Sequence, residues 1–382
     1  MIPIAWLQLR KDRWRLAVAI GGVAFAVVLV FMQLGFRDAL FTSAVRLHSL
    51  FKYDLAIISV KTPNLIYPGD IRRERVAQAR GFAGVESAEC VNLGYGRWKN
   101  PAQPEMGRAI YMIGFDPSRS VISIPEVDAQ RDELTKANVF LYDERSRKEF
   151  GPIAEMVRQD GQIEVELANR RTRIAGLFPL GTSFGIDASL VTSDLNFHRY
   201  NPDSDRRECQ LGLIRVAEGA DHEVVRRELT ASLPNDVRVL NRDEFMQREV
   251  DYWDGATPIG FVFGIGSLIG LVVGAIIVYQ ILFADVTDHM KEYATLKAMG
   301  YSNTTLSGIV LRQAVLLALL GFVPATATAM LLYRATGSAT KLPMEMTPSR
   351  AAVVLGLTVV VCVGSALLAQ RKVRRADPAD LF

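Results

Sequence analysis

Side chains able to do acid–base, nucleophilic or metal chemistry are thinly spread through the 382 residues. The four histidines, His48, His198, His222 and His289, make no H-x-x-x-H or H-E-x-x-H pair, so spacing offers no zinc-type ligand set. No G-x-S-x-G turn presents a nucleophile. No G-x-x-x-x-G-K-[ST] loop is present to cradle a nucleotide phosphate, and no Gly-Lys pair occurs at all. The adjacent carboxylates Asp132-Glu133 and Asp143-Glu144 read as solvated surface. The densest constellation lies at 285–301, D-V-T-D-H-M-K-E-Y-A-T-L-K-A-M-G-Y. On a helix, Val286, Met290, Tyr293 and Leu296 share one face, while Asp285, Asp288 and Glu292 share another at i, i+3 and i+7. Acids in the first turns suit the positive end of the helix dipole. Gly300 is placed to stop the helix, and Ser302 or Asn303 to cap the next. A helix lying on headgroups would be rich in Lys and Arg on its polar face. This one sets three acids against Lys291 and Lys297, which suits a protein partner better.

The elements that hold this segment are apolar. Residues 16–36, 255–284, 313–333 and 351–370 contain no Asp, Glu, Lys or Arg, although the chain as a whole is 22% charged. About 20 apolar residues cross a bilayer core of roughly 30 Å, so each stretch is long enough to span. A purely soluble, disordered, collagenous or disulfide-stapled protein is excluded by that pattern. Span two carries Gly260-x-x-x-Gly264 and Gly266-x-x-x-Gly270-x-x-x-Gly274, small residues that let another helix approach closely. That partner can be a helix of this chain or of a second copy in a homodimer. Few polar groups enter the spans: Gln33 and Gln280 lie near span ends and Arg312 at the start of span three, which argues against an ion pathway.

Residues 37–254 form one polar segment with 30 Lys+Arg against 34 Asp+Glu, and the remainder of the chain holds 14 basic and 7 acidic residues. Basic residues Arg10, Lys11, Arg13 and Arg15 precede span one, and Arg371, Lys372, Arg374 and Arg375 follow span four. The positive-inside rule then places both termini in the cytoplasm and 37–254 outside. Span one reads as an uncleaved anchor, since its apolar core exceeds that of a signal peptide. Residues 1–15 read either as an interfacial helix or as a basic flank. No basic stripe with interleaved aromatics asks for nucleic acid.

Within the polar segment, strand-like runs at 53–60, 85–95 and 108–114 flank a helix at 70–79 with Asp70 as its cap. The order returns at 209–216, 221–233 and 237–240. Two βαβ units imply a ferredoxin-like α+β body, split by a small β-rich insertion at about 117–207. Helical patterns at 37–52 and 241–254 continue out of spans one and two as stalks, opened in the second case by Asn241. Cys362 reads as span packing; a disulfide between Cys90 and Cys209 is chemically permitted outside the cytoplasm, at a separation the sequence does not fix.

The segment V-T-D-H-M-K-E-Y-A-T-L-K-A-M-G resembles the loop of FtsX/MacB-type ABC transporter permeases, and the tail Ala376-Asp377-Pro378-Ala379-Asp380-Leu381-Phe382 resembles their Asp-Pro-Ala ending. Glu292-Tyr-Ala-Thr-Leu-Lys-Ala-Met-Gly-Tyr301 with a Phe-terminated tail is closer to the DevC branch, the permeases of DevBCA-like exporters. Where many relatives carry Arg in the loop, this chain has His289. The resemblance implies a membrane protein of four transmembrane helices, with a porter-like external α+β domain and insertion between helices 1 and 2. It implies spans at 16–36, 255–284, 304–333 and 351–370, a coupling helix at 285–301 and a cytoplasmic tail at 371–382. Asp285, Asp288, Glu292, Lys297 and Gly300 would couple to a separate ABC ATPase that binds the ATP and magnesium, this chain being a non-catalytic subunit with no cofactor or metal of its own. The further partners implied are a second copy, a periplasmic adaptor (membrane fusion protein) and, through it, a TolC-like outer-membrane duct. The implied place is a bacterial inner membrane, and the implied role is tripartite export of a lipid-like or amphipathic cargo. The alternative role is an FtsX-like regulator of a cell-wall hydrolase.

Overall fold

A computed structural model describes residues 13–183, 185–256 and 258–375, which divide into two compact units, Met1–Ala39 with Pro258–Phe382, and Leu40–Thr257. The reading of 1–15 falls on described residues only at Arg13–Arg15, and the Asp-Pro-Ala ending lies outside the described residues.

The first unit is a helical bundle. Helix α1 runs Arg13–Ala44, its last turns passing into the second unit, α10 runs Pro258–Asp288, α12 Asn303–Thr340 and α13 Pro348–Arg375, with the short α11, Met290–Ala298, between α10 and α12. Each of the four long helices is long and apolar enough to cross a membrane. This is a membrane protein with four such helices among the described residues. Their common core joins Val23, Val27 and Phe31 of α1 to Val278 and Leu282 of α10, Ala314 and Leu317 of α12, and Cys362 of α13. Many large apolar side chains face outward instead, among them Phe261, Leu268, Val323 and Val360, as lipid-facing positions require.

The second unit is built on one nine-stranded sheet. Its first lobe contains β1 (Leu55–Ser59), β2 (Ile71–Arg72), α3 (Arg73–Arg80) and β3 (Val85–Asn100). β9 (Glu208–Cys209), β10 (Leu211–Val216), α8 (His222–Ser232) and β11 (Val237–Asn241) complete it. The two βαβ units interleave as β11-β1-β10-β3, all antiparallel, which is the ferredoxin-like order. α3 and α8 cover one face of this lobe with Val76, Ala79, Val225 and Leu229. Asp70 does not cap α3. The chain first makes the short strand β2, and the Asp70 carboxylate instead accepts a bond from Gln210 Nε2 at 2.7 Å.

The strands of the insertion, β5 (Val139–Asp143), β6 (Ile163–Leu167), β7 (Arg170–Phe178) and β8 (Ser189–Ser193), extend the same sheet from β4 (Gln103–Phe115) and enclose a core of their own, and β6 returns to pair with β3 through Trp98 and Leu167. Six strands, β3-β4-β8-β5-β7-β6, thus close a ring that leaves no free edge. The 16-residue β3 serves both lobes, its first half in the ferredoxin-like sheet and its second in the barrel. The short helices α4 (Pro125–Ala129) and α5 (Arg131–Leu134), then α6 (Ile153–Asp160) and α7 (Asp194–Tyr200), pack around the ring. At Gly114 a Cβ would stand 2.5 Å from Phe197 Cβ, so the glycine lets α7 lie directly on β4. Asp143 is fully buried rather than solvated. Burial raises its pKa against the opposing bonds from the N–H groups of Gly181, Arg145 and Leu180, which it ties into one turn.

The stalks are helical but interrupted. After α1 ends at Ala44, a turn at Val45 leads into α2, Arg46–Leu50. On the return, α9 (Arg242–Asp251) opens with a capping box, Asn241 Oδ1 accepting from Glu244 N at 2.8 Å and Glu244 Oε2 from Asn241 N. It then widens into a π-helical turn at Tyr252–Ala256.

Candidate functional site

The connector α11 buries one side and exposes the other. Tyr293 and Ala294 are almost fully buried, and Met290 and Leu296 pack against the bundle core beside the buried Val286 of α10. Its end is a glycine-closed cap. Gly300 takes φ +90°, Tyr301 N donates to Leu296 O at 3.1 Å and Gly300 N to Lys297 O at 3.0 Å. Two of the last carbonyls are thereby satisfied, in a conformation that L side chains adopt at a cost. Ser302 then caps α12, its hydroxyl accepting from Thr305 N.

The three acids do not share one exposed face. Asp285 belongs to the end of α10, not to α11, and is 7% exposed. Its Oδ2 accepts from Gln313 Nε2 of α12 at 3.1 Å, and His289 Nδ1 stands 3.5 Å from Oδ1 and 2.9 Å from the Asp285 carbonyl. His289 falls at the break between α10 and α11, so the helical register assumed from i, i+3, i+7 is interrupted there. Asp288 is half exposed and forms an ion pair with Arg15 at the start of α1. Glu292 is exposed and Lys297 half-buried. Within the bundle, then, α1, α10 and α12 converge on the base of α11, where Glu292 of α11 is exposed, Asp288 at the end of α10 is half exposed against Arg15, and Asp285 serves as an internal strut.

The glycines of α10 are used within the chain. A Cβ on Gly266 would stand 2.6 Å from Gln33 Nε2, on Gly270 3.5 Å from Val30 Cγ2, and on Gly274 2.8 Å from Ala26 Cβ. Gly266, Gly270 and Gly274 therefore form the seam along which α1 packs. Gly264 meets nothing within 4 Å, and Gly260 is half-buried.

A polar cluster at the other end of the bundle escapes sequence reasoning. Arg350 at the start of α13 donates to Asp38 Oδ2 of α1 from Nε at 3.1 Å and Nη2 at 2.7 Å, and to Glu345 O from Nη1 at 2.6 Å. Its guanidinium lies 5.5 Å from the centre of the Tyr333 ring of α12, whose hydroxyl donates to Phe31 O. Both charged residues flank uncharged stretches rather than interrupt them, so a search for charges inside spans passes over them.

In the sheet domain the two stalk segments are joined by buried polar groups. His48 of α2 stands edge-on to Phe245 of α9 at 4.4 Å, and its Nε2 lies 3.5 Å from Glu249 Oε2. Glu249, 2% exposed, also accepts from Leu65 N at 3.0 Å and Trp253 Nε1 at 2.9 Å. Arg242 adds a bond to His48 O and covers the Tyr53 ring. No group of three or more His, Cys, Asp or Glu that could hold a metal ion occurs among the described residues.

Residues 264–378 match the FtsX-like permease C-terminal family. That segment holds most of α10, the connector and both following helices, so the candidate site lies inside the region of likeness. No curated protein shows significant similarity to this chain. Among solved structures, the periplasmic region of MacB from Actinobacillus actinomycetemcomitans is similar at 11% identity and a TM-score of 0.34, over 54% of this chain and 96% of that one. The extracellular domain of the noncanonic ABC-type transporter YknZ from Gram-positive bacteria is similar at 9% identity and a TM-score of 0.32, over 50% of this chain and 99% of that one.

Proposed function

We propose that this chain is the membrane permease subunit of an ABC-type exporter, and that a separate ATPase subunit docks on α11. The observation that carries the reading is α11 itself: a short helix closed by Gly300 and seated by Tyr293 and Asp285, with Asp288 and Glu292 turned outward, inside the segment similar to FtsX-like permeases. In this reading ATP and magnesium are held by the ATPase chain. Closure of the ATPase presses on α11, and the strut from Asp285 to Gln313 passes the displacement to α10 and α12. The sheet domain faces outward, and α2 and α9, clamped through His48 and Glu249, receive the motion as a pair. Both termini are cytoplasmic, the chain works as a dimer in an inner membrane, and an external adaptor leads to an outer-membrane duct. The cargo class that fits the DevC-like spelling of the connector is a glycolipid or similar amphiphile.

The test is charge reversal at Asp288→Lys and Glu292→Lys, with membrane insertion, ATPase co-purification and coupled ATP hydrolysis measured together. Exposed ion pairs contribute about 0.2–1 kcal/mol each, so the double variant should weaken ATPase binding about twofold to thirtyfold. Arg15→Ala separates loss of the internal Arg15–Asp288 pair from loss of the partner contact. Unchanged binding and coupling in the double variant would remove the docking role from α11. Co-purification of a cell-wall hydrolase in place of an adaptor would replace export by regulation.

A further inference from the structure

The ribbon of β2 and β9 packs into the same apolar core as the ferredoxin-like sheet. Cys209, paired with Ile71 in that ribbon, is fully buried there among Val76, Ala79 and Ala88. Cys90 lies on β3, two residues from Ala88 and so on the same face, and packs against that core. Its cross-strand partner is Gly212, where a Cβ would meet Val76 Cγ2 at 2.8 Å, which places this face beneath α3. The backbone holds the two cysteines side by side: Gln210 N, next after Cys209, donates to Val91 O, next after Cys90, at 3.2 Å. They differ in access: Cys209 is sealed, whereas Cys90 is half-buried and lines a cleft of about 440 Å³ with Arg73, Arg80, Glu89, Asp116 and Asp194. The Arg73 guanidinium is fixed over the pair by bonds to Glu208 O at 3.1 Å and Asp194 Oδ1 at 2.6 Å.

We propose that Cys90 and Cys209 are an exchange-active dithiol that closes to a disulfide, with Cys90 as the attacking thiol and Cys209 as the resolving one. The oxidant is a disulfide, either of a thiol–disulfide oxidoreductase or of a small thiol such as glutathione. Cys90, as thiolate, attacks one sulfur of that disulfide and releases the other as a thiol. Cys209 then loses its proton and attacks Cys90 Sγ, releasing the second thiol. Two protein thiols are oxidised and one external disulfide is reduced to two thiols, so electrons and protons balance. The neighbouring Cys209 thiol, with the Arg73 charge, lowers the Cys90 pKa against the opposing effect of burial, while Cys90 and burial raise that of Cys209, which matches the assigned order. Closure would staple the ribbon to β3. Residues 91–208, which the bond would enclose, contain every residue of the barrel core from Trp98 to Tyr200, so the bond ties the root of the barrel lobe.

In cells, closure rests on the reading that the sheet domain faces an oxidising compartment; in purified protein it does not. The experiment therefore has two arms on the full chain. Protein in detergent micelles is equilibrated with glutathione buffers of stepped ratio, quenched with acid, alkylated with a mass-tagged maleimide under denaturation, and digested to find the Cys90–Cys209 peptide. The same alkylation is applied to acid-quenched cells. The expected result is protection of two of the three cysteines in both arms, with Cys362 tagged throughout. With Cys209→Ser, Cys90 should capture glutathione as a mixed disulfide about tenfold faster than Cys209 does with Cys90→Ser. If oxidised glutathione in excess leaves both thiols taggable in micelles, the dithiol is overturned. If the pair closes in micelles but is reduced in cells, the dithiol stands and the outward orientation falls. Equal capture rates in the two single variants would overturn the order of attack.

Discussion

The bundle carries a polar cluster at each end, and the two are built differently. At one end Arg350, almost fully buried, has a full counter-charge in the half-exposed Asp38, a carbonyl of its own loop and an aromatic face, so three helices are pinned to one buried cation. At the other, Asp285 is buried with an amide from Gln313 and an imidazole from His289, while the nearest full ion pair, Arg15 with Asp288, is half exposed. A buried charge with its counter-ion fixes a geometry, because separating the two leaves an unbalanced charge in a medium of low dielectric. A carboxylate held by an amide and a histidine can exchange partners at smaller cost. The first end is a fixed joint, and the second, under the connector, is an adjustable one.

The largest expected effect is at the fixed joint. Asp38→Ala leaves Arg350 with one carbonyl and no counter-charge, and because Asp38 itself is half exposed the loss of stability should be about 1–3 kcal/mol, read as a drop in the thermal midpoint of protein in detergent micelles. A double variant with Arg350→Met should recover much of the loss, since an apolar side chain of similar length needs no partner. A loss below about 1 kcal/mol in the single variant would mean that solvent reaches Arg350 and that the ends are alike.

Next is the connector's closure. Gly300→Ala forces a Cβ into φ +90°, where nothing crowds it, so the cost is backbone strain alone, about 1–2 kcal/mol. Because Gly300 is exposed at a helix end, the strain should be relieved by fraying of α11 rather than by global unfolding. Amide exchange from Thr295 to Tyr301 should speed up while the thermal midpoint moves little. Unchanged exchange would show that the cap does not set the connector's order.

How much of this was legible follows from the range over which each feature is encoded. The four long helices are legible because a span is one local run, and the ferredoxin-like halves because each βαβ unit is contiguous. The barrel was not: 85–115 reads as two ordinary strands, and nothing local indicates that β3 belongs to two lobes or that Trp98 will pair with Leu167. The buried seat of Asp285 was missed for a related reason. Helical periodicity assigns a face but not the neighbour across it, and Gln313 arrives from another span. The buried Val286 and Tyr293 and the closing Gly300 are legible because an apolar stripe and a helix stop are properties of the segment alone. The glycine seam is legible as a seam, while its occupant, Ala26 and Val30 of α1, is not, because small-residue spacing names no partner.

The smallest expected effect bears hardest on the comparison. Asp285→Asn keeps shape and one acceptor oxygen, so Gln313 Nε2 retains its bond and the stability change should stay within about 1 kcal/mol. What the change removes is the negative charge facing His289, and with it one of the two carboxylates, Asp285 and Asp288, that flank Arg15 and His289 at the base of α11. If this end is an adjustable joint that works by exchange of partners among these groups, and the chain is the export permease proposed above, the variant should bind the ATPase normally and hydrolyse ATP, yet lose most of the stimulation that the proposed cargo or adaptor produces. The required measurements are thermal stability, ATPase co-purification and stimulated against basal hydrolysis in one membrane preparation. A loss of stability as large as that of Asp38→Ala would make Asp285 a second fixed joint. Wild-type stimulation with intact stability would show that its charge takes no part in coupling. Only stable assembly with a collapsed ratio of stimulated to basal rate supports the distinction between the two ends.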